Sequence, residues 1–137
     1  MRKTYKFKIP VEPTGKQAPR FSRGKAYLPL CTRDSMDAIK FYVQQEFPRE
    51  PLDCPVEINV TYVRHKPKYV PDWVKYVSRK PDLDNCTKLL GDALEGVLWS
   101  NDSRIVKANM KKVYCGEGEK PHINLEVRTI TEAPWKA

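Results

Sequence analysis

Apolar and polar positions repeat along this chain with two different periods, and each period predicts a different kind of element. Residues 4–11, 55–63, 103–115 and 122–130 alternate at every second position, which predicts four β-strands. Residues 34–47 repeat at helical spacing, with Thr32 or Asp34 as the cap, and a second helix is predicted after Asp84. The predicted order of elements is therefore β-α-β-α-β-β.

This order predicts an α+β fold. The chain has 137 residues, enough for one domain with a hydrophobic core, and we expect that domain to span residues 1–137. Residues 116–119 read Gly-Glu-Gly-Glu, which predicts a hairpin between the last two strands. We therefore expect a single domain built on a mixed β-sheet of about four strands with two helices packed on it. Residues 131–137 are expected to form a frayed tail.

The second predicted helix has the clearest apolar face in the sequence. Lys88, Asp92 and Glu95 fall on its opposite, polar side, and Gly96 is the expected stop. Residues 100–103 read Ser-Asn-Asp-Ser, which predicts a turn before the next strand. The apolar face consists of Cys86, Leu89, Leu90, Ala93, Leu94 and Val97.

Positive charge dominates the chain and is concentrated in two loops. The formal net charge is +8, a balance that favours polyanions such as nucleic acid. Residues 13–33 contain no acidic residue, and Asp72 is the one acidic residue among residues 64–80. The alternatives are a solvated basic loop for residues 13–33 and a short amphipathic helix from 71 to 77 in the second loop. The predicted DNA-binding residues are Lys16, Arg20, Arg23, Lys25, Lys66, Lys68, Lys75 and Arg79.

Three carboxylates follow the second basic loop. Asp82 and Asp84 are two positions apart, so on an extended segment both side chains would leave the same face. If the strand after the helix returns beside them, Asp102 joins the pair. Carboxylates gathered in this way favour a hard divalent ion with oxygen ligands. The alternative is that Asp82 caps the helix, Asp84 favours its positive end, and Lys88 forms a surface ion pair with Asp92.

The same stretch resembles the RusA family of Holliday junction resolvases. The matching residues are Lys80-Pro81-Asp82-Leu83-Asp84-Asn85, Lys88, Asp92-Ala93-Leu94, Gly96, Trp99 and Asp102. The close match spans about residues 79–106. One departure is Asn101, where members of the family often carry a second aspartate, which leaves Asp102 as the candidate ligand.

The resemblance implies a set of roles. Asp82, Asp84 and Asp102 would hold Mg²⁺, or Mn²⁺ in its place, and Lys88 would act with them as a catalytic residue. Asp92 would orient Lys88, Asn85 would hold the metal ligands in place without binding the ion, and Lys80 would neutralise the carboxylates or contact the phosphate. The implied substrate is branched DNA, a four-way junction cut by paired symmetric nicks, and the implied assembly is a two-fold homodimer.

Other features limit the alternatives. The four cysteines and two histidines lack zinc-site spacing. No apolar run approaches the ~20 residues needed to span a membrane, and the N-terminus does not resemble a signal peptide, so a cytoplasmic protein without a membrane partner is expected. Two alternative functions stay open. One is a non-catalytic basic DNA-binding module, and the other is the same nuclease chemistry on flaps or forks.

Overall fold

The computed structural model describes residues 2–16, 20–27 and 30–130. It contains the strands β1 (Thr4–Ile9), β2 (Arg20–Ser22), β3 (Lys25–Tyr27), β4 (Val56–Arg64), β5 (Ile105–Tyr114) and β6 (His122–Thr129). The helices are α1 (Leu30–Glu46) and α2 (Leu83–Leu94), and a short 3-10 helix spans Asp102–Arg104. The predicted α+β class, with two helices and a mixed four-stranded sheet, is confirmed. The expected tail at 131–137 lies outside the described residues.

The main sheet has the strand order β1-β6-β4-β5. Strand β5 runs parallel to β4, whereas β6 runs antiparallel to both β4 and β1. The predicted hairpin of the last two strands is therefore wrong, because β5 and β6 lie on opposite sides of β4. Two parallel neighbours need a crossover connection, and α2 supplies it between β4 and β5. The other edge of β4 is then left for β6.

The core lies between the helices and one face of the sheet. Alternate residues of β4, from Val56 to Tyr62, are buried with the apolar faces of both helices. The predicted apolar face of α2 is buried along its whole length, as are Ile39, Val43 and Phe47 from the predicted stripe of α1. The opposite face of the sheet remains polar, since the intervening β4 residues are Glu57, Asn59 and Thr61.

Two elements in the N-terminal half differ from the prediction. Helix α1 begins at Leu30, so Thr32 and Asp34 lie inside it and neither is its cap. The strands β2 and β3 pair as a hairpin within the basic loop of residues 13–33. Arg23 and Gly24 occupy its turn with φ of 52° and 75°, the left-handed pair that two-residue hairpins favour. Strands of three residues are too short to show an alternating pattern in the sequence.

The second basic loop runs beside the outer edge of β5. The helix considered as an alternative at 71–77 is not formed: these residues form turns and an isolated bridge between Tyr76 and Val113. The amide of Val77 donates to the carbonyl of Lys112, and the amide of Tyr114 donates to that of Lys75. The loop is thus tied to the sheet through its own backbone. Among the described residues, no helix combines the length and apolar character needed to cross a bilayer.

Candidate active site

The N-terminus of α2 carries two aspartates. Asp82 occupies the N-cap position with extended backbone angles, but its side chain makes no capping hydrogen bond. Asp84 lies in the first turn, where the positive end of the helix favours a carboxylate. The predicted extended segment through Asp84 is wrong, because the helix already begins at Leu83. The capping alternative for Asp82 also fails, which leaves its exposed carboxylate available to a ligand.

Charged side chains alternate in sign along one stripe of α2. Asp84, Lys88 and Asp92 are spaced four residues apart and so share one side of the helix. The ammonium of Lys88 lies 3.8 Å from Asp84 Oδ2, and both side chains are mostly exposed. Asp92 pairs instead with Lys16, at 2.6 Å. The expected role of Asp92 in orienting Lys88 is therefore replaced by a contact that holds the N-terminal loop against the helix.

Asp102 is held by the indole of Trp99. Trp99 is fully buried, and its Nε1 donates to Asp102 Oδ1 at 2.7 Å. The carboxylate also lies against the backbone of α2 at Gly91, where a Cβ would approach both of its oxygens to 3.3 Å. A residue without a side chain is thus what allows Asp102 to approach the helix so closely.

The surroundings of Asp102 are negative. Its backbone amide donates to the carboxylate of Glu95 at 2.9 Å. Partial burial raises the pKa of the Asp102 carboxyl, the Trp99 hydrogen bond opposes that shift, and the charges of Glu95 and Asp92 raise the pKa further. A cation near Asp102 would reverse this effect, since it would favour the ionised form.

The structure does not gather the three predicted aspartates around one point. Gly91, against which Asp102 lies, is seven positions after Asp84 (91 − 84 = 7), or about 10 Å along the helix axis. Within residues 2–16, 20–27 and 30–130, no three His, Cys, Asp or Glu side chains are close enough to hold a metal ion together. The site instead has carboxylates at two levels of α2, at its N-terminus and beside Gly91, and Lys88 lies between these levels along the helix.

The donor chemistry of both groups fits a hard divalent ion. Asp82 and Asp84 form one group, and Asp102 and Glu95 form the other. Mg²⁺ is commonly bound by one or two carboxylates together with water and substrate phosphates, so a cage of three protein ligands is not required. The side chains present are therefore of the chemical type that binds Mg²⁺. Their arrangement differs from the predicted site, in which three aspartates share one ion.

A cleft with a volume of about 550 Å³ opens beside Asp82. Gly15 packs so closely on the start of α2 that a Cβ there would lie 3.0 Å from Cβ of Pro81 and 3.2 Å from Cβ of Asn85. The amide of Lys16 donates to the carbonyl of Asn85. The cleft is lined by Thr14, Gly15, Lys16, Arg64, Lys80, Pro81, Asp82 and Asn85. Positive side chains thus surround the uncapped carboxylate.

Lys112 supports the segment that leads into Asp82. Its ammonium donates to the carbonyls of Arg79 and Pro81, both at 2.8 Å. No role was predicted for Lys112, although the sequence contained a signal for it. In the alternation of β5, Ala108 and Met110 precede it on the apolar side, so a lysine at that position is unexpected. Trp99 is among the residues that carry the family resemblance, but its role beside Asp102 was not predicted, and nor were those of Gly91 and Glu95, because these roles depend on how the turn folds back.

The predicted DNA-binding residues fall into two groups in the structure. Lys66 donates to the carbonyls of Asp72 and Val74, so its ammonium holds its own loop together. Lys16 is engaged by Asp92, and the side chain of Arg20 lies outside the described part of the chain. The exposed members of the set are Arg23, Lys25, Lys68, Lys75 and Arg79.

Comparison with known proteins places the chain in a family. Over 140 residues the chain is 26% identical to the uncharacterised protein YqaN of Bacillus subtilis strain 168, covering 92% of this chain and 96% of that protein. It is also 27% identical over 135 residues to the crossover junction endodeoxyribonuclease rusA of Lactococcus phage r1t, covering 95% of this chain and all of that protein. The family profile described as endodeoxyribonuclease RusA matches residues 10–128. The chain therefore belongs to the RusA family of endodeoxyribonucleases and is a nuclease.

Proposed function

We propose that this protein is a divalent-metal-dependent endonuclease that resolves four-way DNA junctions by paired symmetric nicks. The observation that carries the proposal is the uncapped carboxylate of Asp82 at the edge of a cleft lined by Lys16, Arg64 and Lys80. A cleft of this kind suits a phosphodiester, because the cations attract the phosphate and the carboxylates attract the ion that acts on it. A family relative from a lactococcal phage carries the name of a crossover junction endodeoxyribonuclease.

Each residue of the site would have a separate role in phosphodiester hydrolysis. Asp82 and Asp84 would hold Mg²⁺, or Mn²⁺ in its place, and Asp102 with Glu95 would hold a second ion. Such an ion would neutralise charge at the scissile phosphate and lower the pKa of the attacking water. Lys88, between the two carboxylate groups, would stabilise the negative charge that develops in the transition state.

The cleft residues have positioning roles. Lys80 would contact the phosphate beside Asp82. Asn85 would fix the approach of the N-terminal loop, since its carbonyl accepts the amide of Lys16. Asp92 holds the same loop through its ion pair with Lys16. These contacts bring the two basic segments of the chain to one site. The exposed basic residues of both segments would bind the DNA backbone on either side of the cut.

A four-way junction requires two matched cuts in strands of like polarity. A homodimer with a two-fold axis would present two equivalent sites related in the same way as those strands. The proposal therefore includes dimerisation on the junction or before it. Sedimentation of the protein alone and with a synthetic junction would test this part separately.

Substitution of Asp82 by Asn tests the central assignment. Asp82→Asn keeps the shape of the side chain and removes its charge, so junction binding should persist while cleavage with Mg²⁺ is lost. Asp37→Asn, an exposed aspartate of α1, is the matched control and should cleave as the native protein does. Unchanged cleavage by Asp82→Asn would refute the assignment. Cleavage of flaps or forks in preference to junctions would refute the substrate alone.

A further inference from the structure

The second basic loop exposes three large aromatic side chains. Tyr69, Trp73 and Tyr76 are 69%, 84% and 58% exposed, all within eight positions of the second basic loop. Single exposed rings are common on protein surfaces, but three on one short segment are not explained by folding. We call residues 66–80, with these three rings, the aromatic ledge.

The backbone of the aromatic ledge is held in place from several directions. The ammonium of Lys66 donates to two carbonyls within the ledge, those of Asp72 and Val74, each at 2.9 Å. Val77 is buried, and its amide bonds to β5 at Lys112. A segment fixed at its middle and at its end does not need exposed rings for its own stability. The rings are therefore available to a partner.

The charges on the aromatic ledge indicate what that partner is. The guanidinium of Arg79 lies 5.4 Å from the centre of the Tyr69 ring, and the ammonium of Lys75 lies 5.5 Å from that of Tyr76. Each cation lies over one face of its ring in a cation–π contact, so a partner would have to cover the other face of Tyr69 or Tyr76, or the exposed ring of Trp73. Alternating rings and cations match a strand with stacked bases and regularly spaced phosphates.

The position of the aromatic ledge relates it to the cleft. Its last residues continue directly into Asp82, and Lys112 fixes both Arg79 and Pro81 through their carbonyls. A DNA strand that runs along the ledge would therefore lead to the segment that carries Asp82, where the scissile phosphate is proposed to bind. In regular duplex DNA the bases are stacked on each other and their faces are covered. At a branch point base stacking is interrupted, so a ring can cover a base face there.

We propose that the aromatic ledge stacks on unstacked nucleobases at the branch point, with Trp73 as the principal contact, and that this selects branched DNA over duplex. This inference rests on the proposed function and deepens it by naming the surface that recognises the branch. Loss of a stacking ring typically lowers affinity for single-stranded DNA by about tenfold or more. If the ledge contacted only phosphates, the loss of those contacts would lower the affinity for junction and for duplex equally.

The test measures binding by the full-length protein in EDTA, where no cleavage occurs. One probe is a four-way junction carrying 2-aminopurine at the branch point, and the other is a duplex of the same sequence. Trp73→Ala should lose about tenfold in junction affinity, together with the change in 2-aminopurine fluorescence, and keep its duplex affinity. Trp73→Phe, which retains a ring, should recover most of the loss. Phe41→Ala, which removes a 63% exposed ring on α1, should bind as the native protein does.

Each contrary outcome has a distinct meaning. Equal affinity of Trp73→Ala and native protein for the junction would overturn the ledge proposal while leaving the nuclease assignment standing. The ledge proposal would also be overturned if Trp73→Ala lost equal affinity for junction and duplex. The same holds if Trp73 were needed for binding to phosphatidylglycerol vesicles while junction affinity stayed unchanged. Selective stacking at the branch point by a native protein that fails to cut with Mg²⁺ would overturn the nuclease proposal and support the ledge.

Discussion

Replacing Gly91 by Ala should make the protein fold at least as well and cut DNA less well. A Cβ at position 91 would lie 3.3 Å from both oxygens of Asp102, which is closer than ordinary contact. The carboxylate would therefore have to move by a few tenths of an ångström. The proposed site depends on Asp102, so a small displacement there separates the effect on chemistry from the effect on folding.

The two effects have opposite signs and can be given magnitudes. Alanine is favoured over glycine inside a helix by about 0.8–1.0 kcal/mol, and Gly91 lies in the interior of α2. If the hydrogen bond from Trp99 follows the carboxylate, the melting temperature should rise by about 3 °C. Cleavage should fall by about tenfold, since misplacing a catalytic group by 1 Å costs on the order of 100-fold.

The assay is single-turnover cleavage of a four-way junction in Mg²⁺, run beside a thermal melt of each variant. Gly116→Ala is the control, because a Cβ there meets only Glu119 Oε1 at 3.9 Å. If Gly91→Ala is more stable and still cleaves as fast as the native protein, the close contact of the Asp102 carboxylate with Gly91 is not required for activity. A drop of many degrees in the melting temperature would refute the reasoning about the helix.

Three further substitutions probe the supports of the site. Trp99→Phe keeps a buried ring and removes the hydrogen-bond donor to Asp102 Oδ1. We expect this variant to need a higher Mg²⁺ concentration for half-maximal cleavage. An unchanged Mg²⁺ dependence would count against a positioning role for Trp99. Asp102→Asn should be more stable than the native protein at neutral pH without metal. Folding raises the pKa of the Asp102 carboxyl above 3.8, so the protonated carboxyl stabilises the fold at low pH and this contribution is lost as the pH rises through the raised pKa. Thermal melts should show that advantage vanishing below about pH 3.8, and an advantage independent of pH would contradict it. Lys112→Met removes two hydrogen bonds to carbonyls and should cost about 1–3 kcal/mol in urea unfolding and reduce cleavage, whereas Lys111→Met on the exposed face should do neither.

Much of the fold was predictable because it depends on periodic burial. The apolar face of α2 and the alternation of β4 each follow from one buried side, and both appear in the structure as predicted. The pairing of β5 and β6 was not predictable in this way. A Gly-rich connection is compatible with a hairpin, but the helix between β4 and β5 determines that those two strands run parallel.

The three aspartates of the candidate site were proposed from the sequence, but the arrangement that the structure gives them was not. Asp82, Asp84 and Asp102 were found from their spacing and the family resemblance, and Asp82 lies at the cleft. Their grouping depends on where α2 begins and on which of its turns meets the segment after Trp99. Neither is visible in spacing alone, because Gly91 has no side chain to mark it as a contact. The ion pair of Lys16 with Asp92 joins residues 76 positions apart (92 − 16 = 76), which no local pattern encodes.

The most direct test of the account is cleavage of a synthetic four-way junction, labelled on each strand in turn, with Mg²⁺ or with EDTA. A metal-dependent resolvase should make nicks at matched positions in two opposite strands with Mg²⁺ and leave the strands intact with EDTA. Cleavage that continues in EDTA, or an intact junction in Mg²⁺ and in Mn²⁺, would contradict this prediction.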